Sequence, residues 1–492
     1  MVGTTDTLSL EEVRVGAHSL DRFREVLGEE GVREGLALAA RMRDQLNGRI
    51  VWNVNSTAVG GGVAEMLRPL LSYTRGAGID TRWLVIRGDD TFFRITKRLH
   101  HALHGASGDG SSLGPAERAH YEEIAAGNAR ELSALLSPGD VVLLHDPQTA
   151  GIAPHLRGTG AHVVWRCHIG HDAAGAEVDR GWGFLAPDLE EVPVFIFSRR
   201  AYVPDFCDHG RSVIIPPSID PFAPKNQELD GETVRSILVH VGLVEGPPPD
   251  VPPSFLRTDG SPGRVGRRAD VLRLGRGPDW ETPLVTQVSR WDDLKDPIGV
   301  LQGFASTVGA ASPRCAELVL AGPDVRAVAD DPEGARVFDD VVRAWRELPD
   351  AVRNRIHLAS LPTADVDENA AIVNALQRHS AVVVQKSLHE GFGLTVTEAM
   401  WKGRAVIASA VGGIRDQIED GVSGLLLGDP ADGDEFVAAL RRALGEPGLA
   451  VRLGAAARER VREQFLGFRH LMEYARLIEA LDRGDYVRRD RT

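Results

Sequence analysis

Residues Arg49–Tyr73, RIVWNVNSTAVGGGVAEMLRPLLSY, join a short apolar run to a glycine-rich turn and an amphipathic segment. The run from Arg49 to Val54 is rich in β-branched residues, which is typical of a buried strand. The triple glycine Gly60–Gly62 follows, and the apolar residues after it recur every three or four positions, which predicts a helix. A strand, a glycine-rich turn and a helix in this order predict the start of a doubly wound α/β domain.

Short apolar runs alternate with helical stretches along most of the remaining chain, in two separate series. Because these runs are continuously apolar, they predict parallel strands that are covered on both faces. The predicted strands are Trp83–Ile86, Val141–Leu144, Val163–Trp165, Val194–Phe197 and Val213–Ile215 in the first series, and Leu284–Val288, Leu318–Leu320, Ile356–Leu358, Ala381–Val384 and Ala405–Ile407 in the second. The fold class that follows is α/β, with two Rossmann-like doubly wound domains facing each other across a cleft. Ligand sites in such folds lie at the carboxyl ends of the strands.

Changes in composition divide the chain into five segments. Residues 1–46 are charged and predict a helical N-terminal extension, and residues 47–245 form the first Rossmann-like domain. Residues 246–282 are rich in Pro, Gly and Arg, which is typical of a linker or an inserted loop. Residues 283–465 form the second Rossmann-like domain, and residues 466–492 form a helical tail.

The overall charge limits the kinds of partner. The 492 residues include 56 Lys and Arg against 70 Asp and Glu, which gives a formal net charge of −14. Recognition of nucleic-acid phosphates or of anionic membranes usually needs clustered basic charge. The composition therefore argues against a nucleic-acid or membrane partner, and any phosphate that the protein binds must be held by a local site.

Cysteine usage and the first residues bear on the compartment. Cys167, Cys207 and Cys315 are widely spaced and odd in number, which predicts neither a disulfide framework nor a metal cluster. No apolar run approaches the ~18–20 residues that span a bilayer. The acidic, polar N-terminus also lacks the pattern of a signal peptide. We expect a cytoplasmic protein.

Two glutamates mark the most informative part of the chain, Ser387–Gly413, SLHEGFGLTVTEAMWKGRAVIASAVGG. Glu390 and Glu398 are separated by seven residues. Taken alone, a pair of glutamates at this spacing is most simply a pair of solvated surface groups. The flanking strings EGFGL, EAM and AVGG favour a binding site instead, in which both carboxylates serve a ligand.

The residues between the two glutamates predict how the glutamates are presented. Gly391-Phe392-Gly393 forms a flexible turn after a predicted strand, and a helix begins near Leu394. The start of a helix offers unpaired N–H groups that suit anionic ligands. Glu398 then lies about one turn into the helix, below a ligand held at its start, while Glu390 on the loop can touch a sugar directly.

The Glu-x7-Glu element resembles the signature of retaining, nucleotide-sugar-dependent glycosyltransferases with the GT-B fold. Within that superfamily, longer strings resemble the trehalose glycosyltransferring synthases and the related trehalose phosphorylases. The strings are VNSTAVGGGVAEML (54–67), HDPQTAG (145–151), WRCHIG (165–170), IPPSIDPFAPKN (215–226), TQVSRWDDLKDP (286–297) and EGFGLTVTEAMWKG (390–403). The resemblance covers almost the whole chain after about Asn47.

Two cations follow the predicted strand Leu284–Val288. Arg290 and Lys295 lie in SRWDDLKD, where an exposed Arg or Lys would by itself be unremarkable. A diphosphate leaving group gains negative charge as the glycosidic bond breaks, and two cations at this place stabilise that charge without a metal. The position after a Rossmann strand and the resemblance together favour this role.

The glycine-rich turn near the N-terminus carries a weaker signal. Gly61 and Gly62 could form a simple tight turn. Because they precede a helix, they can also let the backbone approach a ligand closely, and the resemblance places this loop over the reacting sugar and diphosphate. The turn lacks the pattern G-x-x-x-x-G-K-[ST], which argues against a P-loop NTPase.

Four further residues follow predicted strands of the first domain. An isolated histidine is more often structural than catalytic, but the resemblance implies that His168 contacts the donor glucose near the reacting carbon. Asp146 is either a ligand for acceptor hydroxyls or a cap for the following helix. Gln148 and Arg166 are its neighbours in HDPQ and WRCH, with weaker claims to the acceptor.

The resemblance implies a retaining glucosyltransferase that moves glucose from a nucleoside diphosphate glucose to the anomeric hydroxyl of free glucose and so forms α,α-trehalose. The second domain would bind the nucleotide sugar, and the first domain would bind the acceptor. No cofactor is required for the chemistry; a divalent cation such as Mg²⁺ is compatible with it, and no metal ligands are predicted. The partners are the small-molecule substrates NDP-glucose, glucose and trehalose, and a homodimer is plausible by analogy.

Two alternatives stay open. A trehalose phosphorylase, in which inorganic phosphate replaces the nucleotide, resembles the same strings and keeps both glutamates. A non-catalytic sensor of sugar nucleotides on the same fold is disfavoured because both glutamates, both cations and the histidine are present. The sequence shows no readable code for the nucleotide base, which backbone and apolar contacts around His357–Leu361 would hold.

Overall fold

The computed structural model describes residues 10–59, 61–207, 209–308, 316–325 and 332–486. Gly60 and Cys315, named above, lie outside these residues. Contacts divide the chain into two compact units. Unit 1 contains the chain up to Ser218 together with the chain from Gly467 onward, and unit 2 is Ile219–Leu466.

The described strands form two seven-stranded sheets and one two-stranded ribbon. In chain order they are β1 (Glu11–Val13), β2 (Val51–Asn55), β3 (Thr81–Val85), β4 (Val141–His145), β5 (His162–Cys167), β6 (Val194–Phe197), β7 (Ser212–Ile214), β8 (Ser254–Leu256), β9 (Pro262–Arg264), β10 (Asp270–Leu272), β11 (Leu284–Val288), β12 (Glu317–Pro323), β13 (Ile356–Leu361), β14 (Val382–Gln385), β15 (Ala405–Ser409) and β16 (Leu425–Leu427). The sheet of unit 1 has the order β1-β3-β2-β4-β5-β6-β7, and that of unit 2 has the order β10-β13-β12-β11-β14-β15-β16. Each order runs outward in two directions from a central pair of parallel strands, which is the doubly wound arrangement.

Helices connect the strands along the described chain. They are α1 (Arg24–Leu46), α2 (Gly62–Gly76), α3 (Asp90–Leu103), α4 (Pro115–Leu135), α5 (Pro147–Ala150), α6 (Ala176–Leu189), α7 (Gly231–Val241), α8 (Pro297–Val308), α9 (Pro332–Glu347), α10 (Asp350–Arg353), α11 (Val366–His379), α12 (Leu394–Trp401), α13 (Ile414–Gln417), α14 (Gly433–Gly445), α15 (Leu449–Gln464) and α16 (Gly467–Asp482). Within the described ranges, no helix is both long and apolar enough to cross a membrane.

The inner strands of the two seven-stranded sheets are buried on both faces, as the continuous apolar runs predicted. Every residue of β2, β4 and β15 is buried. The neighbouring strands in each sheet pair in parallel, with β1 antiparallel to β3 and β10 antiparallel to β13 at two of the edges. The prediction of an α/β fold with two Rossmann-like bodies is confirmed.

The first boundary between the units differs from the predicted one at residue 245. Helix α7 packs against α11, and the buried Ile237 and Leu238 of α7 share an apolar cluster with Ile372 and Leu376 of α11. Residues 219–245 therefore belong to unit 2, and the boundary lies after Ser218. The sequence did not indicate this because α7 has the same apolar periodicity as the helices of the first series.

The predicted linker, 246–282, is a folded part of unit 2. Strands β8 and β9 pair antiparallel, and β10 extends the main sheet beyond β13. The segment is also bonded to the first turn of α11, since Arg257 donates to Asp365 at 2.8 Å and the Gly266 amide donates to Glu368 at 2.7 Å. Proline and glycine are rare in strands, so this composition concealed the short strands.

The helical tail returns to unit 1. Helix α16 packs against α1, where Gly35 lets the ring of Phe468 and the sulfur of Met472 approach closely. A methyl group at position 35 would overlap that ring. The last described helix is therefore part of the core of unit 1, although unit 2 separates it from the rest of that unit in sequence.

Candidate active site

Two loops of unit 2 meet at the carboxyl ends of β11 and β14, which are neighbouring parallel strands. We call them the β11 loop (Ser289–Asp296) and the β14 loop (Lys386–Gly393). The amide of Leu388 donates a hydrogen bond to the carbonyl of Leu294 at 2.8 Å and joins the two loops. The sheet order reverses direction between these strands, which is where open α/β sheets bind ligands.

An ion pair links the two loops. The Nζ atom of Lys295 lies 2.8 Å and 2.5 Å from the two carboxylate oxygens of Glu390. The two side chains are only 16% and 13% exposed. The backbone of Lys295 is held by Gln287, whose side-chain amide donates to the Lys295 carbonyl at 2.8 Å. The structure thus brings together one predicted cation and one predicted glutamate.

Arg290 lies apart from this pair. Its guanidinium is 3.1 Å from the carboxylate of Asp292, and its side chain is 72% exposed. Asp292 also accepts a hydrogen bond from the amide of Leu294 at 2.8 Å and so caps the short helical turn that carries Lys295. The Arg290 side chain therefore lies outside the core, on the surface of the β11 loop, where it can contact a ligand.

Glycines set the shape of the β14 loop. Gly393 has φ of +82° and immediately precedes α12, and a Cβ there would lie 3.0 Å from Cγ of Glu390. Gly412, in the downstream AVGG string, has φ of +49°, and a Cβ there would collide with the carbonyl of Glu390. The amide of Gly413 donates to the carbonyl of Gly391 at 2.9 Å. The AVGG string therefore supports the backbone that carries Glu390.

Helix α12 begins at Leu394, as the sequence predicted, and ends at Trp401. Phe392, in the turn that precedes α12, is buried and packs against the ring of Phe465. Its carbonyl accepts a hydrogen bond from the side chain of Gln417, which in turn accepts from the Thr397 hydroxyl at 2.6 Å. The first turn of α12 is thereby fixed, with the amides of Gly393 and Leu394 at its start.

Glu398 lies in the second turn of α12 and is only 7% exposed. Its carboxylate is 3.5 Å from the Nζ atom of Lys225. The ammonium group of Lys402 donates to the backbone carbonyl of Glu398 at 3.0 Å and to the side chain of Asn226 at 3.2 Å. Burial lowers the pKa of Lys402, and the nearby Glu398 partly offsets that shift. The sequence interpretation missed both lysines, although Lys225 lies in the string IPPSIDPFAPKN and Lys402 lies in EGFGLTVTEAMWKG.

A second polar cluster lies in unit 1, at the carboxyl ends of β2, β4 and β5. His145 is 3.1 Å from His168 through Nδ1 and 3.1 Å from the amide oxygen of Asn53 through Nε2. Burial lowers the pKa of His145 to about 3 and that of His168 well below its usual value, and Arg166 lowers both further. Both imidazoles are therefore neutral near pH 7.

The hydrogen bonds of the two neutral imidazoles indicate which ring nitrogen of each histidine carries the proton. The side-chain oxygen of Asn53 can only accept, so His145 carries its proton on Nε2 and accepts at Nδ1. The proton shared with His168 then belongs to Nε2 of His168. This assignment leaves Nδ1 of His168 as an acceptor, which suits a sugar hydroxyl.

Asp146 has an unusual backbone conformation next to this pair. Its φ is +64°, a region that non-glycine residues seldom occupy. Its carboxylate accepts a hydrogen bond from the amide of His168 at 2.7 Å, and its own amide donates to the carbonyl of Arg166 at 2.8 Å. Its side chain makes no hydrogen bond to the amides of α5, so the helix-cap alternative is wrong. Burial raises the pKa of Asp146 to about 7.

Arg166 and Gln148 lie differently around Asp146. Arg166 is completely buried, and its guanidinium donates to His470 at 2.9 Å, to Tyr474, and to the carbonyl of Ile215 at 3.1 Å. The predicted direct contact with an acceptor is therefore corrected, because α16 supplies partners that enclose this side chain. Gln148 is the second residue of α5 and is half-buried.

The glycines before α2 form an open turn. Gly61 has φ of +79° and directly precedes α2, and Gly62 is the first residue of that helix. No other described atom lies within 4 Å of the position that a Cβ would take at Gly61. A ligand can therefore approach the backbone at the start of α2. In the described part of the chain, no group of three or more His, Cys, Asp or Glu side chains is arranged to hold a metal ion.

Comparisons with known proteins show which family carries these two sites. Residues 53–204 match the family described as trehalose synthase, N-terminal domain, and residues 366–460 match glycosyl transferases group 1. A trehalose synthase from Pyrococcus horikoshii is 34% identical over 472 residues, which cover 96% of this chain and 99% of the relative. The chain belongs to the trehalose synthase family.

Other relatives agree with this family. A trehalose synthase from Rubrobacter xylanophilus is 34% identical over 480 residues, with 96% of this chain and 99% of the relative covered. A trehalose phosphorylase from Pleurotus pulmonarius is 24% identical over 470 residues, which cover 90% of this chain but 58% of the relative. The match to glycosyl transferases group 1 and the similarity to trehalose synthases show that this chain is a glycosyltransferase, as predicted.

Solved structures with low sequence identity share the fold. An α,α-trehalose-phosphate synthase (UDP-forming) from Burkholderia xenovorans, in complex with glucose-6-phosphate, aligns with a TM-score of 0.64 at 16% identity and covers 88% of this chain and 100% of its own. A sucrose-phosphate synthase from Thermosynechococcus elongatus aligns with a TM-score of 0.59 at 17% identity, covering 89% of this chain and 100% of its own. The predicted GT-B fold class is confirmed.

Proposed function

We propose that this glycosyltransferase is a retaining enzyme that forms α,α-trehalose from a nucleoside diphosphate glucose and free glucose, in a reversible reaction. The observation that carries the proposal is the geometry of the Glu-x7-Glu element in unit 2. Glu390 is held by Lys295 at the carboxyl ends of β11 and β14, and Glu398 lies in the second turn of the helix that starts there. This arrangement offers separate groups for a sugar, a diphosphate and a ribose.

In the donor complex, Glu390 would accept hydrogen bonds from glucose hydroxyls, with the amides of Gly393 and Leu394 beside it. Lys295 would share its ammonium group between Glu390 and the diphosphate, and the exposed Arg290 would turn towards the same phosphates. Both cations would then meet the negative charge that grows on the leaving group. A divalent cation such as Mg²⁺ could accompany the diphosphate, but this set of cations does not require one.

Retention follows if the acceptor attacks the face from which the diphosphate leaves. The bond between the glucose anomeric carbon and the phosphate oxygen breaks, and a bond from that carbon to the acceptor anomeric oxygen forms on the same face. The acceptor hydroxyl proton passes to the departing phosphate oxygen, so the products are trehalose and a nucleoside diphosphate. In this proposal Glu390 and Glu398 bind hydroxyl groups of the donor and neither is assigned as a nucleophile, so the acceptor hydroxyl is the attacking group.

The unit 1 cluster would hold sugar hydroxyls on the acceptor side. Asp146 is oriented by the amide of His168, and Nδ1 of His168 is available as an acceptor in the proton assignment above. A carboxylate that bonds a specific hydroxyl rejects analogues that lack it, because the buried group is then left unpaired. Asp146 is thus the main candidate for recognition of glucose.

The reverse reaction separates this proposal from a trehalose phosphorylase. Trehalose should be incubated with UDP, ADP, GDP or TDP in one set of samples and with inorganic phosphate in another. Release of glucose together with a nucleoside diphosphate glucose is expected in one or more nucleotide samples. Formation of glucose 1-phosphate in the phosphate samples alone would overturn the proposal in favour of a phosphorylase, and no reaction in either set would favour a sugar-nucleotide sensor.

A further inference from the structure

Lys386, the first residue of the β14 loop, has a buried side chain that is only 2% exposed. Its ammonium group forms an ion pair with the carboxylate of Asp296, the last residue of the β11 loop. The same group donates a hydrogen bond to the carbonyl of Pro430 at 2.6 Å, in the turn between β16 and α14. One buried cation therefore joins the chain that follows three strands of the unit 2 sheet, β11, β14 and β16.

Asp296 is held by further contacts besides this ion pair. Its backbone has φ of +46°, a conformation that residues other than glycine seldom adopt. The other carboxylate oxygen accepts a hydrogen bond from the amide of Gly299 at 3.0 Å, and the Asp296 carbonyl accepts one from the amide of Val300 at 3.1 Å. A Cβ at Gly299 would collide with the carboxylate. The carboxylate is thus fixed between the start of α8 and the Lys386 ammonium group.

This anchor lies next to the cation of the donor site. Asp296 directly follows Lys295, whose ammonium group contacts the carboxylate of Glu390. On the other side of Lys295, the carbonyl of Leu294 accepts a hydrogen bond from the β14 loop at 2.8 Å. Both chain neighbours of Lys295 are therefore attached to the loop that carries Glu390. Loss of either attachment would let the Lys295 ammonium group move relative to that carboxylate.

We infer that Lys386 is a positioning residue, which holds the Lys295 ammonium group in place against the diphosphate of the donor. The inference rests on the proposed function, in which Lys295 stabilises the charge that develops on the leaving diphosphate. Lys386 acts through Asp296 rather than on the ligand, because its ammonium group is buried and bonded to Asp296 and Pro430. A misplacement of about 1 Å in a group that acts on the transition state can lower the rate about 10²-fold.

Steady-state kinetics of Lys386→Met test this inference. Release of nucleoside diphosphate is measured with saturating glucose and the most active of UDP-, ADP-, GDP- and TDP-glucose as donor, and thermal unfolding is followed on the same samples. The kcat should fall about 10–100-fold and the donor KM should change less than about threefold, because Lys295 acts mainly in the transition state. In a Lys295→Ala background, Lys386→Met should lower kcat by less than about a further twofold, since the group that it positions is absent.

A double variant separates positioning from stability. Lys386→Met leaves the Asp296 carboxylate without its buried partner and should lower the unfolding temperature. Addition of Asp296→Asn removes the second charge, while asparagine tolerates a positive φ and keeps an acceptor oxygen for the Gly299 amide. The double variant should regain most of the lost unfolding temperature. Its kcat should stay at least about tenfold below wild type, because the link between the two loops is still missing.

An ion pair in unit 1 supplies the matched control. Arg118 of α4 donates to the carboxylate of Asp188 of α6 at 2.6 Å, and the Asp188 side chain is only 7% exposed. Arg118→Met also leaves a buried carboxylate without its cation, so it should lower the unfolding temperature. The kcat of the folded Arg118→Met protein should stay within about threefold of wild type.

The outcomes distinguish the inference from the function on which it rests. If Lys295→Ala keeps kcat within about threefold of wild type, the diphosphate assignment itself is wrong. If Lys295→Ala lowers kcat but Lys386→Met does not, or if Lys386→Met lowers kcat by the same factor in both backgrounds, the inference alone is overturned. Recovery of kcat together with the unfolding temperature in the double variant would also overturn it, since that pattern indicates a structural defect. The double variant gives the same decision if Lys386→Met alone does not fold.

Discussion

Replacement of Lys295 by alanine should reduce turnover far more than it reduces stability. The Nζ atom of Lys295 lies 2.5–2.8 Å from the carboxylate of Glu390, in a pair whose side chains are 16% and 13% exposed. Removing one partner of a fully buried pair costs about 3–5 kcal/mol, and the remaining exposure of this pair reduces the expected loss of unfolding free energy to about 1–2 kcal/mol. The protein should still fold.

The loss of turnover has a different origin. Lys295 is proposed to stabilise charge that develops only as the bond to the diphosphate breaks, and removing one such group lowers the rate by about 10²–10³. That factor corresponds to about 2.7–4 kcal/mol of activation free energy. Because the interaction strengthens towards the transition state, kcat should fall more than the donor KM rises.

The assay is release of nucleoside diphosphate at saturating donor and glucose, with thermal unfolding measured on the same samples. Lys97→Ala removes an exposed lysine from unit 1 and serves as the control for loss of a positive charge. A kcat for Lys295→Ala within about threefold of wild type would refute the assignment of Lys295 to the diphosphate. A low rate explained entirely by unfolded protein would also refute it.

Three other changes test other parts of the site. Glu398→Ala should raise the donor KM at least tenfold with a smaller effect on kcat, because it removes charge-assisted hydrogen bonds worth about 1.5–3 kcal/mol each; an unchanged donor KM would contradict the ribose assignment. Gly412→Ala should destabilise the protein by about 1–3 kcal/mol and lower activity, because its backbone has φ of +49° and faces the Glu390 carbonyl. Gly433→Ala, which meets no described atom within 4 Å, should be nearly neutral in both assays. Asp146→Asn should raise the glucose KM, and it should raise the unfolding temperature more at pH 8 than at pH 5. The pKa of Asp146 is about 7 in the folded protein and ~3.9 in an unfolded chain, so folding favours the protonated carboxyl group. The wild-type protein therefore loses stability as pH rises through that interval, whereas the asparagine variant does not. Equal shifts of the unfolding temperature at both pH values would contradict this account.

The local features of the donor site could be predicted from sequence because they depend on neighbours in the chain. The strand before Lys386, the turn at Gly393 and the helix Leu394–Trp401 all follow from apolar periodicity and glycine placement. The Glu-x7-Glu spacing then fixes one glutamate on the loop and one in the helix. Glu390 and Lys295 are 95 residues apart in sequence. The sequence predicts that both serve the same donor site, but it does not predict that they form an ion pair.

The features that the sequence did not reveal depend on distant partners. Arg166 is enclosed by α16, whose residues lie 304 and 308 positions away at the two contacts. The linker region of 246–282 is ordered by bonds to α11 that its own composition does not indicate. Lys225 lies beside Glu398, and the carbonyls of Pro224 and Asn226 on either side of it are bonded to side chains of α11 and α12. Apolar periodicity predicts which face of a helix or strand is buried. It does not predict which distant loop packs against that helix or strand.

The acceptor specificity tests the central proposal most directly. Glucose and glucose 6-phosphate are compared at equal concentration, each with UDP-, ADP-, GDP- and TDP-glucose, and the product is identified by ¹³C nuclear magnetic resonance. The account predicts α,α-trehalose from glucose with at least one donor and little product from glucose 6-phosphate, because Asp146 and His168 offer hydroxyl acceptors rather than a cationic site for a phosphate. A clear preference for glucose 6-phosphate, or a product with an inverted anomeric carbon, would contradict it.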